Sequence, residues 1–206
     1  PRLPWGLRLQ PLIADPAPTL PILEALQDDQ SPYVRRSVAN HLNDIAKDHP
    51  ALVIDWVRRH LPEAGTERRA LLSHACRTLI KQGCADALAL WGNGVAFEGR
   101  CTLKLAPRRI TVGERIALGV TLRSSSPQAQ SLLIDYAVHH VKASGATSAK
   151  VFKGWKLTLD AKESRTLTKQ HSFKPVTTRR LHAGRHAIDI RVNGRVVASA
   201  SVNLGC

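Results

Sequence analysis

The feature that most constrains this chain is a change in the spacing of its apolar residues at Trp91-Gly92-Asn93-Gly94. Before that point they recur with the 3.6-residue period of a helix, and after it with the two-residue period of a strand. One element type cannot satisfy both periods. The expectation is a multidomain α plus β chain, with helices first and strands after.

In the first half, Leu20, Leu23 and Leu26 share one face of a helix over 18–26. Ser31-Pro32 joins a favoured N-cap residue to a proline at the first helical position, where the missing N–H does no harm. The helix over 32–47 then lines up Val34, Val38, Leu42 and Ile45. Pro50 opens another, with Leu52, Val53, Trp56, Val57 and Leu61 as its apolar positions. A fourth starts at Gly65-Thr66, buries Leu71, Leu72, Ala75, Leu79 and Ile80, and stops at Gly83.

These pieces repeat. Arg35-Arg36, with His41 after it, recurs as Arg68-Arg69 with His74, an offset of 33 residues, and Pro16 and Pro50 are similarly related. Helical pairs at such a period predict an α-solenoid of the HEAT, armadillo or tetratricopeptide kind. Two visible repeats are too few for a capped stack, and the chain opens at Pro1 without any Met. Further repeats upstream are expected on both grounds.

In the second half, strands are predicted over 102–105, 115–123, 131–141, 150–159, 164–173, 185–193 and 195–204. Ile188, Ile190 and Val192 alternate with Asp189, Arg191 and Asn193, so one face is expected dry and the other wet. Asn193-Gly194 is the favoured dipeptide of a two-residue hairpin. Seven strands in about 105 residues predict an immunoglobulin-like antiparallel β-sandwich. The expected organisation is helical repeats over 1–92, a junction over 93–99 and the sandwich over 100–206.

Charge separates the halves as sharply as period does. Residues 1–96 hold 11 Lys/Arg against 10 Asp/Glu, whereas 97–206 hold 19 against 6, so nearly all of the net +14 lies on the β half. A domain that accepts this much self-repulsion is expected to meet a polyanion. No apolar run approaches the about 20 residues that span a bilayer, which predicts a cytoplasmic protein with no membrane partner. Cys76, Cys84, Cys101 and Cys206 match no zinc spacing and are expected as free thiols.

No phosphate-binding glycine loop, nucleophile elbow or metal cluster is present in the sequence, and no cofactor is expected. His139 and His140 are adjacent on a strand and so face opposite ways, a poor start for one metal ion. The helix over 32–47 holds more promise. Arg36, Asn40, Asn43 and Lys47 form a polar stripe at i, i+4, i+7 and i+11, with Asp44 at its edge. A solvated face would look the same. On a solenoid, though, such a stripe can line the concave surface, where guanidinium, amide and ammonium groups suit phosphate oxygens and a carboxylate suits a cation.

The segment Pro-Arg-Leu-Pro-Trp-Gly at 1–6, with Ser-Pro-Tyr-Val-Arg-Arg-Ser-Val-Ala-Asn-His-Leu-Asn-Asp-Ile at 31–45, resembles the HEAT-like-repeat DNA glycosylases of the AlkC and AlkD kind, AlkC above all. The resemblance covers residues 1 to about 92, and the β half is similar in architecture to the immunoglobulin-like domain of part of the AlkC branch. It implies hydrolysis of the N-glycosidic bond of cationic alkylated bases, of 3-methyladenine or 3-methylcytosine type, in double-stranded DNA; a monomer is expected. Carried over by residue, it makes Trp5 an aromatic beside the lesion and Asp44 an active-site acid. Arg35, Arg36 and Asn40 fall in a stretch whose polar face lies by DNA, and the stripe adds Asn43 and Lys47. The family's upstream acidic residues have no counterpart here, so half a site is expected and little activity from these residues alone. The competing reading is a nucleic-acid-binding solenoid scaffold without catalysis.

Overall fold

A computed structural model describes residues 8–177 and 180–205. The chain divides into two compact units, Pro1–Trp91 and Gly92–Cys206.

The described part of the first unit is helical: α1 (Gln10–Ala14), a 3-10 turn (Ala17–Thr19), α2 (Leu20–Leu26), α3 (Pro32–Ile45), α4 (Pro50–His60), α5 (Thr66–Ala75), α6 (Arg77–Gln82) and α7 (Ala85–Ala89). These are more pieces than the apolar stripes predict. The stripe from Leu71 to Ile80 is continuous in sequence, but Cys76 at φ −83°, ψ −2° splits it into α5 and α6. Gly83 then ends α6 in the left-handed region at φ +81°, and the Cys84 N–H reaches back to the Leu79 carbonyl at 3.0 Å. That is the glycine-terminated closure that satisfies last-turn carbonyls. At the start of α3 the Ser31 side chain makes no capping bond, contrary to expectation. Its backbone N–H instead donates to Asp29 Oδ1 at 2.7 Å, so the aspartate two residues upstream organises the helix entry.

The helical core collects the predicted positions. Val38, Leu42 and Ile45 of α3, Val53, Trp56 and Val57 of α4, and Leu71, Leu72 and Ala75 of α5 form one buried cluster with Leu23 and Leu79. Removing a side chain such as Leu42, which is fully buried, costs about 2–5 kcal/mol in settings of this kind.

The second unit is two packed sheets. One has strand order β1 (Gly99–Ala106), β3 (Arg115–Ser124), β6 (Ser164–Ser172); the other runs β2 (Arg109–Thr111), β8 (Arg195–Gly205), β7 (Gly184–Val192), β4 (Gln130–Val141), β5 (Thr147–Leu159). Leu118, Val120 and Leu122 from the first sheet meet Leu132, Ile134, Val138, Ile188, Ile190 and Val192 from the second in a single core. The strand β2 falls outside the sequence expectation and pairs parallel with β8, so the sandwich is not wholly antiparallel. Three residues flanked by Pro107 and Gly113 carry too little alternation to be read as a strand.

The Asn193-Gly194 hairpin joins β7 to β8, with Val192 opposite Arg195 and φ of +48° and +80° at the two turn residues. Those are the two positive φ values of the hairpin turn this dipeptide prefers. Asn193 itself is not on the wet face. It is 5% exposed, donating through Nδ2 to the carbonyls of Val95 (2.8 Å) and Ser131 (3.1 Å) and accepting at Oδ1 from the Leu133 N–H (2.8 Å).

Candidate nucleic-acid interface and carboxylate site

The polar stripe of α3 does not stay together as one displayed face. Packing of α5 and α6 alongside α3 covers part of it, and its members divide into two groups. Arg36, Asn40 and Lys47 remain exposed, while Asn43 and Asp44 are buried at 4% and 7% exposure.

Asn43 is a strut. Its Oδ1 accepts the Thr78 N–H at 3.1 Å, satisfying one of the amides left unpaired in the first turn of α6. Arg35 is also engaged within the unit. Its guanidinium donates to the carbonyls of Asp29 (2.6 Å) and Gln30 (2.9 Å) and pairs with Glu67 at 2.9 Å, leaving the side chain 15% exposed. Arg35 and Asn43, both expected beside DNA, tie α3 to its neighbours in this structure. Arg68 of α5 reciprocates by pairing with Asp28 before α3, and that guanidinium holds the Asp28 carboxyl below its ordinary range.

Arg36 and Asn40 reach across to α5. Arg36 Nη1 lies 2.8 Å from His74 Nδ1, and Asn40 Oδ1 lies 2.9 Å from His74 Nε2. Arg77 Nη1 approaches the same Nε2 at 2.6 Å. Two guanidiniums and a carboxamide thus converge on one imidazole at the surface of the helical unit. The sequence reading missed His74 and Arg77 as members of this group. The signal was present, because the 33-residue repeat that pairs α3 with α5 is the one in which His74 recurs. An arrangement of this kind, rich in N–H donors, suits an anionic oxygen.

Asp44 sits in the last turn of α3, where the helix dipole disfavours a carboxylate. Its side chain is 10% exposed, and Lys47 one turn on donates to Oδ1 at 2.9 Å. His41, three residues before it, is partly buried, and that burial lowers its pKa from the ordinary imidazole value. A carboxylate buried against the dipole is a poor choice for stability alone, and such locally unfavourable choices concentrate at functional sites. Trp5, the other residue assigned to the chemistry, lies outside the described residues.

In the β unit, His139 and His140 face opposite ways as their adjacency requires. His139 Nε2 is 2.6 Å from Asp189 Oδ2, whose other oxygen accepts from Ser199 at 2.7 Å. His140 is buried against Phe173 and His186. Cys76, Cys84 and Cys101 are free, and burial pushes the Cys76 and Cys101 thiols up to about 11, far from a reactive thiolate. Cys206 lies outside the described residues. Among the described residues no helix is long and apolar enough to cross a membrane.

Residues 100–206 match a family model described as the uncharacterised protein YhaZ, C-terminal Ig-like domain. The uncharacterized protein YhaZ of Bacillus subtilis (strain 168) is 40% identical over 205 residues, which are 95% of this chain and 54% of that protein. A solved structure, Pseudomonas fluorescens alkylpurine DNA glycosylase AlkC bound to DNA containing an abasic site analog, matches with a TM-score of 0.93 at 40% identity, over 100% of this chain and 57% of that one. The chain therefore spans little more than half the length of each of these relatives.

Proposed function

This chain belongs to the family of the YhaZ C-terminal Ig-like domain and to the AlkC branch of the alkylation-repair glycosylases, and on that premise we propose that it serves in a DNA repair glycosylase that excises cationic alkylated bases. The observation that carries the reading is the likeness to AlkC, which extends over the whole of this chain and so takes in both units. The helical unit is read as HEAT-like repeats, supported by the reciprocal pairing of α3 and α5 across the 33-residue offset. The β unit is read as a DNA-gripping domain, supported by its charge.

The chemistry asked of such a site is modest. A base methylated to a cation is already a good leaving group and needs no protonation. What remains is to stabilise an oxocarbenium-like sugar and to place a water, and a fixed carboxylate does both. Asp44 is the residue of this chain suited to the task. Lys47 orients it, and α3, pinned by Asn43 to α6, fixes its position. Arg36, Asn40, His74 and Arg77 supply donors for a phosphate of the bound strand, and Trp5 an aromatic face for the lesion or the sugar cation. The remaining acids of the site would come from the part of the relatives that this chain does not span.

Release of base from methylated duplex DNA by the full-length protein tests the proposal. Asp44→Asn keeps shape and hydrogen bonding but removes the charge. Excision is expected to fall by about 10²-fold or more while duplex binding holds, because the carboxylate acts on charge that develops only in the transition state. Normal excision by this variant would make Asp44 a structural residue. Binding with no excision by the unaltered protein would favour the non-catalytic scaffold.

A further inference from the structure

The outward face of the three-stranded sheet is made mainly of basic, hydroxyl and small residues. Alternation places Arg100, Thr102 and Lys104 of β1 outward, with Arg115, Thr121 and Arg123 of β3 beside them. The register sets Arg100 directly opposite Arg123, and Thr102 opposite Thr121, which in turn faces Thr166 of β6. Lys104 faces Gly119, and Arg115 faces Ser172. No outward position on these three strands is acidic.

The six carboxylates of the unit lie elsewhere. Asp135 and Asp189 are on β4 and β7 of the other sheet, and Glu98, Glu114, Asp160 and Glu163 stand outside the strands. Two of those near the sheet are turned to local work. Glu114 accepts from the N–H and hydroxyl of Thr111 (2.6 and 3.1 Å), and Glu163 binds Arg165 and the Asp160 N–H.

Two like charges directly opposite each other on adjacent strands destabilise a sheet. The Arg100–Arg123 pair is therefore a local cost that the sandwich does not need, and it would be relieved by an anion lying across both strands. The rest of the face is matched to that use. Thr121 and Thr166 hydroxyls meet at 3.0 Å, forming a row of short donors beside the cations. Gly119 and Ala117 keep the centre low, so a broad polymer can approach the backbone. Along β3, eight residue steps of about 3.4 Å set Arg115 about 27 Å from Arg123, with Lys104 near the midpoint. A duplex presents a phosphate on each strand every 3.4 Å or so of its axis, so the face spans about eight base pairs.

From these features we infer that the outer face of β1, β3 and β6 is the surface of the β unit that lies on the sugar–phosphate backbone of double-stranded DNA, with Arg100 and Arg123 sharing one phosphate. The inference rests on the reading of this chain as a DNA-binding protein and adds which face does the binding. Hydroxyl and guanidinium groups without base-edge readers make the binding independent of sequence.

The test uses the 206-residue chain and an undamaged, end-labelled duplex of about two helical turns, with affinity measured by anisotropy across a salt series. A triple variant, R100Q/K104Q/R123Q, is compared with K150Q/K153Q/K156Q, which removes the same charge from β5 of the other sheet. Each phosphate that is no longer neutralised should reduce the log–log salt slope by about 0.9, so the first variant is expected to lose roughly two to three units of slope and to bind at least tenfold more weakly. The β5 variant should stay within about threefold of the unaltered chain. The thermal midpoint of R100Q/K104Q/R123Q should be equal or higher, since the repulsive Arg100–Arg123 pair is removed, and this shows that weaker binding does not come from unfolding. Equal weakening in both triple variants, or the larger effect from β5, would overturn the inference and leave DNA binding intact. Absence of salt-dependent duplex binding by the unaltered chain would overturn the DNA-binding reading with it.

Discussion

Replacing Asn193 by Ala should destabilise the β unit by about 3–4 kcal/mol. The side chain is 5% exposed and makes three hydrogen bonds, to the carbonyls of Val95 and Ser131 and from the N–H of Leu133. Each such bond contributes about 1 kcal/mol net, and a buried partner left unpaired costs at least as much. Asn193 also holds φ +48°, a region that costs a Cβ-bearing residue other than Asn or Asp about 1 kcal/mol. For a domain near 100 residues the sum lowers the midpoint by about 15 °C. Asn193→Gly separates the two terms: it loses the hydrogen bonds but tolerates the φ, so it should retain about 1 kcal/mol relative to Ala. Because the chain has two units, a single unfolding curve would blend them. Hydrogen exchange under rising urea, read on peptides from β7 and β8, isolates the β unit. An Asn193→Ala cost below about 1 kcal/mol, or equal costs for Ala and Gly, would refute the assignment of the turn to both the amide and the backbone.

Two further outcomes are expected in the helical unit. Lys47→Gln removes the ammonium 2.9 Å from Asp44. Breaking a fully buried pair costs about 3–5 kcal/mol, but Lys47 is 45% exposed, so about 1–2 kcal/mol is expected. In an Asp44→Asn background that cost should largely vanish, and a double-mutant cycle by urea denaturation that shows no coupling would sink the pairing. The second outcome concerns pH. Burial lowers the His41 pKa below its ordinary 6.5, so the folded unit binds fewer protons there than the unfolded chain. The associated stability is fully present above about pH 6.5 and is lost as pH falls through the lowered folded value. Melting the chain between pH 7.5 and 5 should show this decline, and His41→Gln should flatten it; an unchanged slope in that variant would assign the decline to other groups.

The fold was legible wherever burial dictated residue type. Ile188, Ile190 and Val192 are fully buried on the dry face of β7, and Val38, Leu42 and Ile45 line the dry face of α3, as their spacing requires. The sequence misled where a polar side chain does structural work. Asn193 reads as a turn residue on a wet face, yet its amide closes three backbone groups. Asn43 reads as part of a polar stripe, yet it caps the start of α6. A helical wheel describes one helix in isolation, and the amide that Asn43 accepts comes from 35 residues away. The same limit hid Arg77. It joins Arg36 and Asn40 only through His74, so it enters the group by tertiary packing and not by spacing along α3. The split at Cys76 was illegible too, since the apolar stripe runs through it unbroken.

A carboxylate that must act on developing positive charge has to stand close to DNA, whose phosphates repel it. Strong positive charge around Asp44 would ease that approach but would also stabilise the ground state of the carboxylate and weaken its effect on an oxocarbenium ion. On the proposed reading, a nearly neutral helical unit with the Lys47 ammonium on Asp44, and with guanidiniums gathered on His74, limits that loss. On the same reading, long-range attraction falls to the β unit, whose outward arginines and lysines need no relation to the reacting atoms. Salt should on this view weaken binding of the chain far more than it slows base release at saturating enzyme, because the two depend on different charges.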